Sequence, residues 1–280
     1  MDYEIIFIND GSSDDTLEIL KKLAALDSQI KILDFSRNFG KESAILAGFR
    51  ESKGDFVVLV DADLQDPIDL LPQMFQLIIN NDIDMVCIQR KRRDGDGKIR
   101  AFLSNMFYWI SKAFLNIQLQ NGIRDFRLMK KDVVDAILQI GEYHRFSKGI
   151  FEWVGFKKVF LEYSYIDREK GQSGWGFRKL FRYALDGIFS FSAIPLRLSF
   201  ILGFLSSFFA LIYGIYIVID TLIFGNAVKG YPSLVCIITF FGGIQLIVMG
   251  IIGEYIARIY EQVKNRPHYI LKKGRKNDEK

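Results

Sequence analysis

The sequence predicts an α/β domain followed by two transmembrane helices, and three observations lead to this fold class. Short apolar strands alternate with helices of about ten residues in the first third of the chain, a pattern typical of βαβ units and a parallel, Rossmann-like sheet. A group of carboxylates directly follows the third strand. Two long uncharged runs lie towards the C-terminus.

Each element of the predicted domain has a local signal. Strands are runs of apolar and β-branched residues, and each helix follows a turn of small or acidic residues that can cap its N-terminus. The predicted strands cover residues 3–8, 30–35, 56–60 and 84–89, and the predicted helices cover residues 17–26, 42–51 and 68–79. Because such domains normally place a strand and a helix before an Asp-Gly-Ser turn, we expect a domain truncated at its N-terminus.

The third strand and the carboxylates that follow it are the centre of the prediction. Its apolar residues indicate a strand buried on both faces, and ligands gather at the carboxyl ends of such strands. Side chains alternate along a strand, so Asp61 and Asp63 are expected to point the same way. Two adjacent carboxylates repel each other unless a cation lies between them, and their oxygens suit Mg²⁺ or Mn²⁺. The alternative is a solvated acidic turn before a helix that Pro67 begins.

The two uncharged runs predict membrane spans. Residues 198–219 and 231–253 are each about 22 residues long, enough to cross a bilayer. Neither run shows the polar face of an ordinary core helix. Basic residues are frequent before the first run and after the second, whereas the segment between them holds one, Lys229. The positive-inside rule therefore predicts a two-pass protein of the cytoplasmic membrane with its N-terminal domain and both termini in the cytoplasm.

The charge balance points to the same environment. The formal net charge is +4, and the basic residues crowd the ends of the predicted spans. This distribution indicates attraction to the lipid bilayer and not nucleic-acid binding.

Five motifs occur together in the chain. They are Asn9-Asp10-Gly11-Ser12-Ser13-Asp14, Asn38-Phe39-Gly40-Lys41, Asp61-Ala62-Asp63-Leu64-Gln65-Asp66-Pro67, Asp125-Phe126-Arg127-Leu128-Met129, and Leu185-Asp186-Gly187-Ile188-Phe189-Ser190-Phe191-Ser192 before the first span. With these motifs, nearly the whole chain resembles the family 2 glycosyltransferases of the polyprenyl-phosphate type, which include dolichol-phosphate mannosyltransferases and bactoprenol glucosyltransferases.

The resemblance implies a GT-A fold and a specific reaction. Such enzymes transfer one sugar from a nucleotide sugar to a membrane-embedded polyprenyl phosphate, so we expect a UDP-linked hexose as donor and undecaprenyl phosphate as acceptor. We expect displacement with inversion at the sugar. The sequence leaves the oligomeric state open, a homo-oligomer included.

The resemblance also assigns the metal and the reacting centre. Asp61, Asp63 and Gln65 would hold Mg²⁺ or Mn²⁺ against the donor diphosphate, with Asp61 contacting the nucleotide and Asp63 counted as catalytic. Asp125 would lie at the reacting centre, where it orients sugar hydroxyls or stabilises positive charge on the sugar. The alternative for Asp125 is an aspartate at the N-terminus of a helix that begins near Lys131.

Two further residues are expected to contact the nucleotide. Asp10 would accept hydrogen bonds from the base or the ribose, and its alternative is a cap, together with Ser12, on the following helix. Lys41 would lie near the nucleotide, and its alternative is a lysine on a solvated helix end.

The acceptor phosphate is expected beside a glycine-rich cationic segment. Arg168, Ser173 and Arg178 are its predicted ligands. Aromatic, amphipathic helices over residues 98–115 and 178–191 would lie in the headgroup plane, although the first could equally be a core helix.

The predicted domains are a catalytic domain (residues 1–165), an acceptor loop with an interfacial helix (166–196), two transmembrane helices (197–263) and a basic tail (264–280). Two other functions remain open: a membrane-anchored, catalytically inactive nucleotide-binding scaffold, and a processive polysaccharide synthase. The latter would carry a Gln-x-x-Arg-Trp motif, which residues 172–175 do not match.

Overall fold

The protein is described here by a computed structural model that covers residues 2–63, 66–90, 123–163, 194–225 and 230–272. The described residues divide into two compact units. Two long helices form one unit, and the remaining elements form the other.

The described elements follow the predicted order as far as the fourth strand. The strands are β1 (Ile5–Asn9), β2 (Ile30–Asp34), β3 (Phe56–Leu59), β4 (Met85–Arg90), β5 (Ile123–Lys130) and β6 (Lys158–Tyr163). The helices are α1 (Thr16–Leu26), α2 (Lys41–Glu51), α3 (Leu71–Asn80, after a 3-10 turn over Ile68–Leu70), α4 (Lys131–Gln139), α5 (Ser147–Trp153), α6 (Ile194–Phe224) and α7 (Tyr231–Val263). Of these, β5, β6 and α5 were not among the predicted elements.

The strands form two sheets, and only one of them is wholly parallel. Strands β1 and β2 pair in parallel. The other sheet has the order β3-β5-β4-β6, in which β5 runs antiparallel to β3 and β4, and β6 runs parallel to β4. The prediction of one parallel sheet is therefore wrong for the larger sheet. An apolar run gives the same signal in either strand direction, so the sequence pattern did not reveal the reversal.

The four-stranded sheet provides the main core of its unit. Val86 and Ile88 of β4 and Leu128 of β5 are fully buried, and α3 packs against them through Met74 and Ile78. This packing removes apolar side chains from water, the main favourable term in folding.

Strand β3 is less buried than its sequence suggests. All four of its residues are half-buried, whereas the prediction was burial on both faces. Among the described residues it pairs with β5 alone, so one of its edges has no strand beside it. The strand also ends at Leu59, before the carboxylates. Ala62 and Asp63 lie in a turn, so the expected alternation of Asp61 and Asp63 along a strand does not apply.

Helices α6 and α7 contain the two predicted spans. Residues Ile194–Phe224 and Phe240–Val263 are each long and apolar enough to cross a bilayer. Most of their described apolar side chains are exposed, unlike those of a buried core helix. The two predicted interfacial helices, residues 98–115 and 178–191, lie outside the described residues.

Candidate active site

The register of β3 and β5 brings two distant carboxylates to one edge of the larger sheet. Leu59, the last residue of β3, pairs with Arg127 of β5. Because the strands are antiparallel, the chain beyond Leu59 and the chain before Arg127 leave that pair in the same direction. Asp61 and Asp125 each lie two residues from it. The two residues therefore lie at the same edge of the sheet although 64 positions separate them in the sequence.

Lys41 joins these two carboxylates. Its Nζ lies 2.7 Å from Asp61 Oδ2 and 2.6 Å from Asp125 Oδ2. Burial lowers the pKa of Lys41, but the charges and hydrogen bonds of Asp125 and Asp61 outweigh it, so the pKa lies above its usual value. Lys41 is the first residue of α2, yet its ammonium group contacts the site. Lys41 is thus a half-exposed lysine at a helix end, as the alternative has it, but two carboxylates hold its ammonium group, and its contact with a nucleotide stays a prediction.

Asp125 lies in a largely buried, cationic environment. Its side chain is 15% exposed, and Arg127, whose guanidinium packs on the ring of Phe151, donates to its backbone carbonyl. Burial raises the pKa of the Asp125 carboxyl, but Lys148, Lys41 and Arg127 outweigh that effect and hold the pKa below its usual range. Asp125 stands within β5, six residues before α4 begins. The alternative of a helix N-terminal aspartate is therefore wrong.

Asp10 holds the loop that delivers Lys41. Its Oδ1 accepts from the N–H of Phe39 at 2.6 Å, and its Oδ2 accepts from the N–H of Gly40 at 2.9 Å. Helix α1 instead has Asp15 at its N-cap, so the alternative that Asp10 caps the following helix is wrong. Each carboxylate oxygen has a second lone pair, and contact with a nucleotide remains a prediction.

Gly11 allows the loop after β1 to approach this segment closely. Its φ of 68° lies in the left-handed region that favours glycine. A Cβ at this position would lie 2.5 Å from the carbonyl carbon of Arg37. A side chain here would therefore displace the backbone of Arg37 and Asn38, which directly precedes the N–H groups that Asp10 binds.

A third carboxylate lies close to the Asp61 and Asp63 turn. Asp66 is buried and pairs with Arg124 at 3.2 Å. Burial raises the pKa of Asp66, Arg124 opposes this, and the nearby charges of Asp61 and Asp63 raise it further, leaving it above its usual value. Negative charge is thus concentrated at this turn.

The donor set fits a divalent cation in part. No group of three or more His, Cys, Asp or Glu side chains arranged to hold a metal occurs in the part of the chain that the structure describes. Asp61 and exposed Asp63 supply hard oxygen ligands, and Mg²⁺ typically takes one or two carboxylates together with substrate phosphates and water. Two carboxylates at an open turn suit that mode of binding.

The structure brings Lys41, Asp61 and Asp125 together, and it places Asp10 at the loop next to Lys41. Gln65, Arg168, Ser173 and Arg178 lie outside the described residues, so their predicted roles stay predictions. The sequence analysis missed Arg124, Arg127 and Lys148. Arg127 could have been identified from the sequence, since it lies in the quoted motif beginning at Asp125. Arg124 could not, because its partner Asp66 is 58 positions away and no local signal connects the two.

Comparison with known proteins gives matches over both units. Residues 1–138 match the family model of glycosyl transferase family 2, and residues 194–259 match that of the GtrB C-terminal hairpin. The chain is 43% identical over 273 residues to a prophage bactoprenol glucosyl transferase homolog of Escherichia coli, covering 98% of this chain and 89% of the relative. It is also 43% identical over 275 residues to an SfII prophage-derived bactoprenol glucosyl transferase of Shigella flexneri, with the same coverages.

Solved structures resemble the chain more distantly. One is glucosyl-3-phosphoglycerate synthase from Mycobacterium tuberculosis in complex with Mn²⁺ and uridine-diphosphate-glucose. It is 17% identical with a TM-score of 0.40, over 64% of each chain.

Proposed function

The chain belongs to glycosyl transferase family 2, and from this premise we propose that it transfers one hexosyl residue from a nucleotide sugar to a membrane polyprenyl phosphate. The expected donor is a UDP-sugar and the expected acceptor is undecaprenyl phosphate. The observation that carries the proposal is the Lys41 ammonium group between Asp61 and Asp125 at the edge of the larger sheet. The full-length similarity to bactoprenol glucosyl transferases supports the choice of acceptor class.

The donor diphosphate would bind at the turn after β3. Asp61 and Asp63 would hold a divalent ion, Mg²⁺ or Mn²⁺, whose chemistry when bound is to neutralise charge on the departing nucleoside diphosphate. Lys41 supplies a fixed positive charge at the same place. Burial lowers its pKa, but the two carboxylates outweigh that effect, so Lys41 keeps the proton that a lysine ordinarily carries at neutral pH.

Asp125 would stabilise the reacting sugar. Its pKa is held below the usual value, so its carboxyl is ionised at neutral pH and cannot donate a proton as a general acid. An ionised carboxylate can accept hydrogen bonds from sugar hydroxyls and stabilise positive charge that develops at the anomeric carbon.

The acceptor needs little activation. A phosphate monoester has a second pKa of about 6, so the lipid phosphate is mostly a dianion at neutral pH and can attack without a general base. Attack on the face opposite the leaving diphosphate forms the new C–O bond as the old one breaks, which inverts the anomeric carbon. Arg168, Ser173 and Arg178 remain the proposed ligands of the acceptor phosphate.

We assign the protein to the cytoplasmic membrane, with α6 and α7 spanning the bilayer. The excess of basic residues before α6 and after α7 supports a cytoplasmic position for both termini and for the N-terminal unit. A nucleotide sugar of the cytoplasm would then reach the site directly. A homo-oligomer is compatible with this assignment.

An assay on the full-length chain in lipid nanodiscs tests the proposal. The chain is incubated with labelled UDP-glucose, undecaprenyl phosphate and Mn²⁺, and products are separated by size. We expect lipid carrying one sugar, and we expect chelation of the metal to abolish its formation. Asp61→Asn and Asp63→Asn should each lower the rate by at least about 100-fold, since loss of a group that only orients a metal ligand already costs roughly 10–100-fold and these two residues are the proposed ligands themselves.

Asp69→Asn is the matched control, because Asp69 is exposed on the neighbouring 3-10 turn and should leave the rate unchanged. Nucleotide binding without turnover would instead indicate a scaffold, and a long polymer would indicate a synthase. Full activity of Asp63→Asn in metal-free buffer would contradict the proposed metal site.

A further inference from the structure

The chain after α7 returns to the N-terminal unit as an ordered segment, which we call the strap (residues 265–272). Helix α7 ends at Val263, and Asn265 follows in the left-handed conformation with φ 47°. Asparagine tolerates this conformation after a helix, and Pro267 cannot continue one. The sequence analysis treated this stretch only as a basic tail.

The strap pairs with the end of β2. Phe35, the residue directly after β2, forms an antiparallel bridge with Leu271. The N–H of Ser36 donates to the carbonyl of Ile270, and the N–H of Lys272 donates to the carbonyl of Asp34, both at 2.8 Å.

The strap takes the edge of this strand that β1 leaves open. The N–H of Phe35 points the other way and donates to the carbonyl of Asn9 in β1. Backbone groups alternate in direction along an extended chain, so the bonds from its neighbours Asp34 and Ser36 leave on the opposite side. The end of β2 is therefore held from both edges.

Aromatic packing extends the contact to the loop that precedes α2. The ring of Tyr269 stacks on Phe35, with centroids 5.0 Å apart and planes 11° apart. Phe35 is fully buried and meets the edge of Phe39 at 5.8 Å. Phe39 is one of the two residues whose N–H groups donate to Asp10. A second strap ring, that of His268, stacks on Tyr143 at 5.5 Å.

Polar contacts extend from the strap to the loop after β1. Lys272 Nζ lies 3.2 Å from Asp34 Oδ2, while Asp34 Oδ1 accepts from the side-chain amide of Asn9 at 2.7 Å. Asn9 Oδ1 in turn accepts from the N–H of Ser12. Asn9 is buried, so its hydrogen bonds fix the start of this loop.

We propose that the strap is a positioning element for the nucleotide sugar: it orders the two loops that carry Asp10 and Lys41 before the donor binds. This inference rests on the proposed function. None of the strap residues needs to contact the donor. Ordering the loops in advance removes a conformational cost from binding, so loss of the strap contacts should weaken donor binding and spare the acceptor step.

A pair of substitutions at Lys272 tests the backbone contact in the full-length chain. Lys272→Pro removes the N–H that donates to Asp34, and Lys272→Ala removes the side chain but keeps that donor. The bridge makes Leu271 extended, the conformation that a following proline favours. Binding of UDP-glucose with Mn²⁺ is measured by calorimetry, alongside the KM for undecaprenyl phosphate. We expect Lys272→Pro to raise the donor Kd about 5- to 10-fold above that of Lys272→Ala, with the acceptor KM unchanged.

A second pair of substitutions, at Tyr269, tests the proposed role of the strap if Lys272→Pro does not fold. Tyr269→Ala removes the stacked ring and should raise the donor Kd about 5-fold, whereas Tyr269→Phe keeps the ring and should bind as the wild type does. The proposal is overturned if the variants bind the donor like the wild type. It is also overturned if donor Kd, acceptor KM and thermal stability worsen together, which would indicate a purely structural role. A wild-type chain that binds no UDP-glucose would contradict the proposed function itself.

Discussion

The two sheets of the N-terminal unit are stabilised in different ways. The two central strands of the four-stranded sheet, β5 and β4, carry fully buried apolar residues and α3 packs on the sheet, so apolar burial holds it together. Strands β1 and β2 are mostly half-buried. Their ends are fixed by hydrogen bonds through Asn9, Asp10 and Asp34, and by the strap.

This difference separates two tasks. The larger sheet holds Asp125 in a largely buried position within β5, which suits charge stabilisation at a reacting centre. The smaller sheet holds loops through polar contacts, which suit a ligand that must enter and leave. Lys41 connects them, because Asp10 fixes the backbone before it and its ammonium group reaches Asp61 and Asp125. Four changes test this comparison.

The largest expected effect is on the core of the larger sheet. Leu128→Ala should lower the free energy of unfolding by about 2–5 kcal/mol, because it leaves a cavity at a fully buried position. Leu33→Ala in β2 is the matched change at a half-buried position and should cost about 1–2 kcal/mol, because less apolar area is lost. Denaturant unfolding of the full chain in detergent measures both. Equal costs would show that the two sheets are not stabilised differently.

Asp125→Asn should lower the rate of glycosyl transfer by roughly 100- to 1000-fold, the usual cost of removing one charge-stabilising group at a reacting centre. The Kd for the nucleotide sugar should change far less, since Asp61 still holds Lys41. Steady-state kinetics and calorimetry separate the two quantities.

Asp132→Asn is the control for that change, because Asp132 is exposed on the first turn of α4. Normal turnover by a folded Asp125→Asn variant would contradict the proposed position of Asp125 at the reacting centre.

Gly11→Ala tests the smaller sheet. The left-handed backbone and the close approach to Arg37 should together cost about 1–3 kcal/mol. The displaced loop should raise the donor Kd more than it lowers the rate at saturating donor. Gly141→Ala provides a comparison, because a Cβ at Gly141 meets no atom within 4 Å. A larger loss in the saturated rate than in donor binding would contradict the division of tasks.

The smallest effect concerns Glu42, which links α2 to α5. Its carboxylate accepts from the N–H of Ser147 at 2.9 Å and from the Ser147 hydroxyl. Burial raises the pKa of Glu42, the Ser147 hydrogen bonds oppose this, and the pKa remains above its usual value of 4.5. Between the usual and the raised pKa the unfolded chain binds fewer protons than the folded one. Stability from this group is therefore present at low pH and is lost as pH rises.

Glu42→Gln cannot ionise, so its thermal stability relative to the wild type should increase as pH rises from about 4 to 7, across the usual range for a glutamate. Glu18→Gln, at an exposed position on α1, is the control: it shows how far loss of a surface charge alone changes the difference in thermal stability between a variant and the wild type. If the thermal stability of Glu42→Gln relative to the wild type fell as pH rose, the assigned direction of the Glu42 pKa would be contradicted.

Local patterns predicted most of the elements. Alternating strands and helices, the small residues after β1 and the uncharged runs near the C-terminus each depend on residues close together in the chain. The positions of the predicted elements agree with the structure to within a few residues, whereas β5, β6 and α5 were not predicted. The motifs likewise indicated Asp10, Lys41, Asp61, Asp63 and Asp125 as candidates, and the structure brings Lys41, Asp61 and Asp125 into contact.

Local patterns were enough to predict the element order as far as β4, the two long apolar helices and the residue types available for the chemistry, because periodicity and composition are local properties. Three features were visible only in the folded chain: the reversed direction of β5, the partners of Lys41 at 20 and 84 positions along the chain, and the pairing of the strap with Phe35. These features depend on which distant segments lie side by side. An apolar strand or a single lysine carries no local signal of its partner, so packing and hydrogen bonding across the folded unit select it.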